Sequence, residues 1–218
     1  MGRGLGMGGF SPRSVGVALA AIVSATIAAA VAPKAEPASG SASYTADGKL
    51  LFPRDYRSWI FLTSGLGMSY VEGPQGAGVS MFDNVFVDPQ AYAAFQKTGT
   101  WPERAVLVLE VRGAEQNGSI NKHGHFQTGR MAVEVHVKDT SRFKGGWAFF
   151  GFDGEKPGQL IAQSAPCYSC HEQHAAVDTT FVQFYPTLLP LAEAKKTLSA
   201  NYLADEAAAT PPRGAGSG

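Results

Sequence analysis

The chain has 218 residues, 44% of them apolar and 17% charged, and its 18 basic and 18 acidic side chains give a formal net charge of zero. That composition suits a folded protein of one domain with tails and excludes disorder for the bulk of the chain. Without any run of Lys or Arg it also excludes nucleic acid as a partner, because phosphate binding needs clustered positive charge.

Arg3 and Arg13 precede an unbroken run of apolar and small residues from Val15 to Ala32. Residues 1–32 therefore read as a Sec-type signal peptide, with Ala28-Ala29-Ala30 and Ala30-Val31-Ala32 as small-residue cleavage sites; Pro33 disfavours the second. The alternative is an uncleaved anchor helix, for which the run sits at the lower edge of what spans a bilayer. Either reading exports the remainder, most simply to a bacterial periplasm. Residues 33–43 form a Pro/Ala/Ser linker, 44–202 the folded domain, and 203–218 a disordered tail.

Within the domain the segments 57–64, 81–87, 105–112, 130–138 and 146–152 are short, rich in β-branched and aromatic residues, and bounded by Gly, Pro, Asp or Asn. They predict a mainly β (α+β) fold, an antiparallel sheet with a few helices. One helix is expected after 81–87, with Asp88 as N-cap, Pro89 in the first turn and Gly99 closing it. Tyr92 and Phe95, about one turn apart, would face the sheet. A second helix is expected near Cys167 and a third over 191–204. The long polar loop 113–129 carries His123 and His125; we read it as a solvated hairpin loop in preference to a ligand-lining one.

Cys167-Tyr168-Ser169-Cys170-His171 contains both cysteines of the chain and has the C-x-x-C-H spacing of c-type haem attachment. Thiols three residues apart on one helical turn lie on the same side and reach two vinyl groups, and the next histidine supplies the proximal imidazole to iron. Zinc would need two further ligands, a thioredoxin-like couple a preceding βαβ unit, and a disulfide across so short a loop would add little stability. The cysteine motif leaves the sixth iron position undetermined. Met68, Met81, Met131, His123, His125, His136 and His174 are all available, and none lies in a ligand pattern.

The chain also resembles the cytochrome P-460 family. The resemblance rests on DGKLLFPRDYRSWIFL, VFVDPQAYAAFQKTGTWPE, VEVHVKDTSRF with GGWAFFGF, and CYSCHEQHAAVDTTFVQFYPTL, in that order and spacing. It implies a homodimeric periplasmic protein with one covalently attached haem c, its iron five-coordinate and held by His171. Namesake members carry a lysine bonded to the porphyrin and oxidise hydroxylamine through nitric oxide, with a carboxylate above the open iron face assisting proton transfer. Relatives lacking that lysine, the cytochromes c-prime-beta, have an apolar distal pocket and bind nitric oxide.

At the position matching the cross-linking lysine stands Leu109, within the apolar set Ala105, Leu107, Leu109 and Val111. The nearest lysines, Lys97 and Lys122, do not match it. The position matching the carboxylate keeps its acid as Glu134. By alternation Arg130, Ala132, Glu134, His136 and Lys138 share one face, which taken alone would simply be wet; the resemblance instead implies that haem packs there. His136 is a candidate hydrogen-bond partner for Glu134. Phe82, Phe86, Phe149, Phe181 and Phe184 are aromatic candidates for the pocket lining, though core packing is the commoner role for such residues. The resulting expectation is a pocket without cross-link but with an acid retained. It would bind nitric oxide or a similar ligand, with oxidation of hydroxylamine and electron transfer to a partner cytochrome as the alternative, and simple electron transfer as a third.

Overall fold

The computed structural model describes residues 1–2, 42–70 and 81–209. The chain divides into two units, Met1–Lys34 and Ala35–Gly218, and the second contains all the elements below. The expected signal peptide, most of the linker, and residues 210–218 of the expected tail lie outside the described residues. Among the described residues no helix is long and apolar enough to cross a membrane.

Six strands, β1 (Ile60–Leu66), β2 (Met81–Val87), β3 (Val106–Glu115), β4 (Phe126–Lys138), β5 (Trp147–Gly151) and β6 (Gln159–Leu160), form one sheet in sequence order, every pair antiparallel. The predicted mainly β, antiparallel fold is therefore present, with the short edge strand β6 as an addition. Both sheet faces are covered, which explains why β3 and β5 are apolar at successive positions instead of alternating with polar residues. Ala105, Leu107, Trp147 and Phe149 pack on one face with Phe95, Leu188 and Tyr202 from the helices. Val106, Val108, Ala148 and Phe150 pack on the other, beneath Leu50, Phe52, Tyr56 and Trp59 of the N-terminal segment.

Helix α1 (Pro89–Thr98) forms as its end signals dictate. Asp88 Oδ1 accepts from the Ala91 N–H at 2.8 Å and Oδ2 from the Val106 N–H at 3.0 Å, so one side chain caps the helix and ties it to β3. Gly99 closes the helix at φ 77°, where an added Cβ would lie 2.7 Å from Lys195 Cβ. Phe95 is fully buried and Tyr92 partly so, both against the core on that face.

The single helix expected over 191–204 is instead two, α3 (Leu189–Lys195) and α4 (Ala200–Ala209). Lys196 takes a left-handed conformation, φ 59°, and its N–H returns to the carbonyls of Ala192 and Glu193. Ser199 then restarts the chain as a cap, its Oγ accepting from the Tyr202 N–H at 3.1 Å. Helix α4 runs to Ala209, so residues 203–209 are helical where a tail was expected. Its three successive alanines have the highest helix propensity, and Pro211 follows shortly after.

Candidate functional site

A cavity of about 370 Å³ opens on the helix-bearing face of the sheet. Its floor is strand: Asp83 and Val85 of β2, Leu107 and Leu109 of β3, Glu134 and His136 of β4. The remaining lining includes His171, the last residue of the cysteine motif, and Phe181, Phe184 and Tyr185 from the segment that follows it.

The motif lies on helix α2 (Pro166–His174), which begins with proline in its first turn. Cys167 and Cys170 are both free thiols and half-buried, and burial first of all pushes the Cys167 thiol up. Tyr168, a variable motif position without a signal of its own, fastens the helix to β5. Its hydroxyl accepts from the Phe149 N–H and donates to the Ile161 carbonyl, each at 3.1 Å, and its ring stacks on Phe149 at 4.3 Å.

His171 Nδ1 lies 2.8 Å from the Thr179 carbonyl oxygen. A carbonyl only accepts, so Nδ1 carries the proton and Nε2 keeps the lone pair that a metal would take. Burial holds the imidazole below its ordinary range, and hence neutral near pH 7, although the bond to Thr179 opposes this. Phe181 and Phe149 flank the ring at 4.3 and 4.8 Å between centroids. His136 meets it edge-on at 4.9 Å and lies 4.1 Å from Phe149. His136 thus packs on the imidazole of His171; among the described residues it makes no hydrogen bond to Glu134, the partner considered from sequence. Burial, and then the neighbouring His171, hold it well below its usual range.

Leu109 and Glu134 are direct cross-strand partners, and Val85 is the partner of Leu109 on its other side. The face of β4 that could have been a wet surface instead points Glu134 and His136 into the cavity. Burial lifts the Glu134 carboxyl, and the nearby Asp83 charge lifts it further; burial raises Asp83 as well. Two carboxyls therefore share this cavity, where the sequence reading named one. Asp83 was legible in principle, because alternation along 81–87 sets Met81, Asp83 and Val85 on one face. Among the described residues no lysine lines the cavity, and both Lys97 and Lys122 are exposed.

Of the seven possible sixth ligands, Met68, Met81 and His136 line the cavity. Met68 folds onto Gly65, where any Cβ would collide with its Sδ. Met131 is exposed, as are His123 and His125, consistent with a solvated loop; the strands shorten that loop to residues 116–125. His174 is taken by Asp205, at 2.6 Å. Among the aromatic candidates Phe181 and Phe184 line the cavity and Phe149 lies in the adjoining core. Phe86 packs against the opposite face, and alternation puts Phe82 there too.

These residues fit a haem. Two free thiols sit on one turn of α2, the next residue is a neutral imidazole whose Nε2 keeps its lone pair, and that imidazole lines a largely apolar cavity with Phe181 and Phe184. Compared with protein-family models, residues 53–182, more than half of the chain, match Cytochrome P460. No curated protein matches the chain. The chain belongs to the cytochrome P460 family, and that membership implies a haem cofactor and a cytochrome's function.

Proposed function

We propose that this cytochrome P460 protein is an exported, mono-haem c-type cytochrome whose distal iron site is open and binds nitric oxide or a similar small ligand. The observation that carries the reading is that His171 and the cross-strand pair Leu109–Glu134 line one cavity. In this reading Cys167 and Cys170 would hold a haem through thioether bonds, and His171 would ligate its iron through Nε2. Leu109 has no nucleophilic nitrogen, so the third bond of the namesake members is missing and the protein sits close in type to cytochrome c-prime-beta. Residues 1–32 are removed on export to the periplasm, residues 44–209, to the end of α4, make up the working domain, and two copies associate as a homodimer.

When bound, haem would supply an iron that takes up the ligand and exchanges electrons. The chain's own contribution is distinct. Leu107 and Leu109 give the cavity apolar walls that exclude water, Phe181 packs on the His171 ring, and neutral His171 is a strong, oriented donor. The raised carboxyls of Glu134 and Asp83 are poised to hold or accept a proton from a bound ligand.

Those two carboxyls favour a second reading, oxidation of hydroxylamine with electrons passed to a partner cytochrome, since such a reaction must shed protons. Anaerobic titration of the ferrous protein with nitric oxide, alongside turnover with hydroxylamine and an electron acceptor, separates the two. Tight nitric oxide binding without turnover supports capture; turnover that falls in Glu134→Ala supports the enzyme. Neither binding nor turnover would contradict both and leave electron transfer, with Met68 or Met81 as the closing ligand.

A further inference from the structure

The carbonyl that fixes His171 belongs to an unusual turn. Val177 and Thr180 form an isolated antiparallel bridge, with N–H···O distances of 3.3 and 2.8 Å in the two directions. The two residues between them, Asp178 and Thr179, have φ of 53° and 58°. Successive positive φ values define a type I′ turn, which favours Asn-Gly or Asp-Gly. Thr179 is β-branched, so the left-handed region is costly for it, and its Oγ1 is buried with no hydrogen-bond partner among the described residues. Such a turn persists only where its surroundings over-determine it.

The surroundings here are specific. Lys138 Nζ donates to Asp178 Oδ2 at 2.5 Å and to the Trp101 carbonyl at 2.8 Å, and the lysine side chain is only 14% exposed. Trp101 Nε1 donates to Thr180 Oγ1 at 2.7 Å, and that hydroxyl donates to the Val177 carbonyl at 2.7 Å. The end of β4 and the Trp-Pro turn therefore both reach this one turn, and Lys138 joins them through the Trp101 carbonyl. What the turn delivers is the Thr179 oxygen, 2.8 Å from His171 Nδ1.

We propose that Lys138, Asp178 and Trp101 are positioning residues for His171. They clamp the turn so that the Thr179 carbonyl accepts a short, aligned hydrogen bond from Nδ1–H. That bond orients the ring and makes Nε2 a stronger donor, as outer partners of ligating histidines do. The inference rests on the reading above that His171 ligates haem iron. It adds that the electron-donating strength of this ligand is set by Lys138, thirty-three residues away in sequence, on the same strand that carries Glu134.

The test uses the haem-loaded full chain, as Lys138→Met, Lys138→Arg, Asp178→Asn and Trp101→Phe. The iron–imidazole stretching band of the ferrous protein is read by resonance Raman, the midpoint potential by titration, and stability by thermal unfolding. We expect the band to move to lower frequency and the potential to rise in Lys138→Met, because a weaker Nδ1–H bond leaves a poorer donor that favours the ferric state less. Lys138→Arg, which keeps the cation, should return both towards wild type. Asp178→Asn should give a smaller shift in the same direction; asparagine tolerates positive φ, so this variant keeps the test open if Lys138→Met does not fold. If unfolding temperature falls while band and potential stay at the wild-type values, the clamp is structural only and the proposal is overturned. A wild-type protein whose spectrum has no iron–histidine band, or keeps it in His171→Ala, overturns the assignment of His171 itself.

Discussion

Two glutamates on adjacent strands of this sheet have opposite roles, and the contrast makes a quantitative prediction. Glu110 is 1% exposed and faces away from the cavity. Its carboxylate accepts from Tyr56, from Arg57, from Arg112 at 3.2 Å and from Asn84 at 3.3 Å. Burial alone would raise its pKa, but the hydrogen bonds from Tyr56 and Arg112 and the Arg57 charge more than reverse this and hold it below the ordinary 4.5. Glu110→Ala leaves the buried Tyr56 hydroxyl without this partner and removes one from the Asn84 amide, while the half-exposed Arg57 regains water. Losing one partner of a buried charged network costs about 3–5 kcal/mol. For a domain of this size that corresponds to a fall in Tm on the order of 10 °C. Because the folded pKa is depressed, the stabilisation is present above the unfolded pKa and is lost as pH falls through the folded value. The gap between wild type and Glu110→Gln should therefore be open at pH 7 and narrow below about pH 4. Thermal unfolding followed by circular dichroism at the two pH values reads both effects. A Tm for Glu110→Ala within about 1 °C of wild type, against the several degrees each lost buried hydrogen bond implies, would refute the reasoning.

The other carboxylates give their own outcomes. Glu134, raised by burial and by Asp83, has the opposite sign: its ionised form costs stability above its ordinary pKa of 4.5. Glu134→Gln should thus raise Tm at pH 7, with the gain vanishing as pH falls below that value; a gain unchanged with pH would contradict a raised Glu134. Asp88→Ala removes a cap and strands the Val106 N–H, for a loss of about 2–4 kcal/mol in denaturant unfolding. For attachment, Cys167→Ala and Cys170→Ala singly should each leave haem bound to the chain through denaturing electrophoresis, and the double variant should lose it. Haem retained by the double variant would mean another residue holds the ring.

Much of this fold was legible because its signals are local. The cap at Asp88, the proline after it and Gly99 mark α1 at both ends, and each strand core is a run that no helix pattern fits. The break between α3 and α4 was not legible, since Lys196 has no residue-type bias towards positive φ; tertiary contacts of Thr197 with the Gly99 carbonyl accompany it. The site divides in the same way. Cys167, Cys170 and His171 announce themselves by spacing. The direction in which Glu134 faces does not follow from β4 alone, because alternation puts it on a face without saying what covers that face. Leu109 could be placed opposite it only once β3 and β4 were in register. Asp83 escaped because one acid in an apolar strand looks like an exposed position, and the clamp on His171 escaped because Lys138 and Asp178 are far apart in sequence.

The central claim is an iron held by His171 and open on the side of Leu109 and Glu134, in a ring anchored by two thioethers alone. The absorption spectrum of the resting ferrous protein tests it most directly. The account predicts a five-coordinate, high-spin spectrum with the Soret band of an ordinary c-type haem, changing when nitric oxide is added. A low-spin, six-coordinate spectrum would show the site closed by a side chain such as Met68, and a strongly red-shifted Soret band would show a further bond to the ring; either would contradict it.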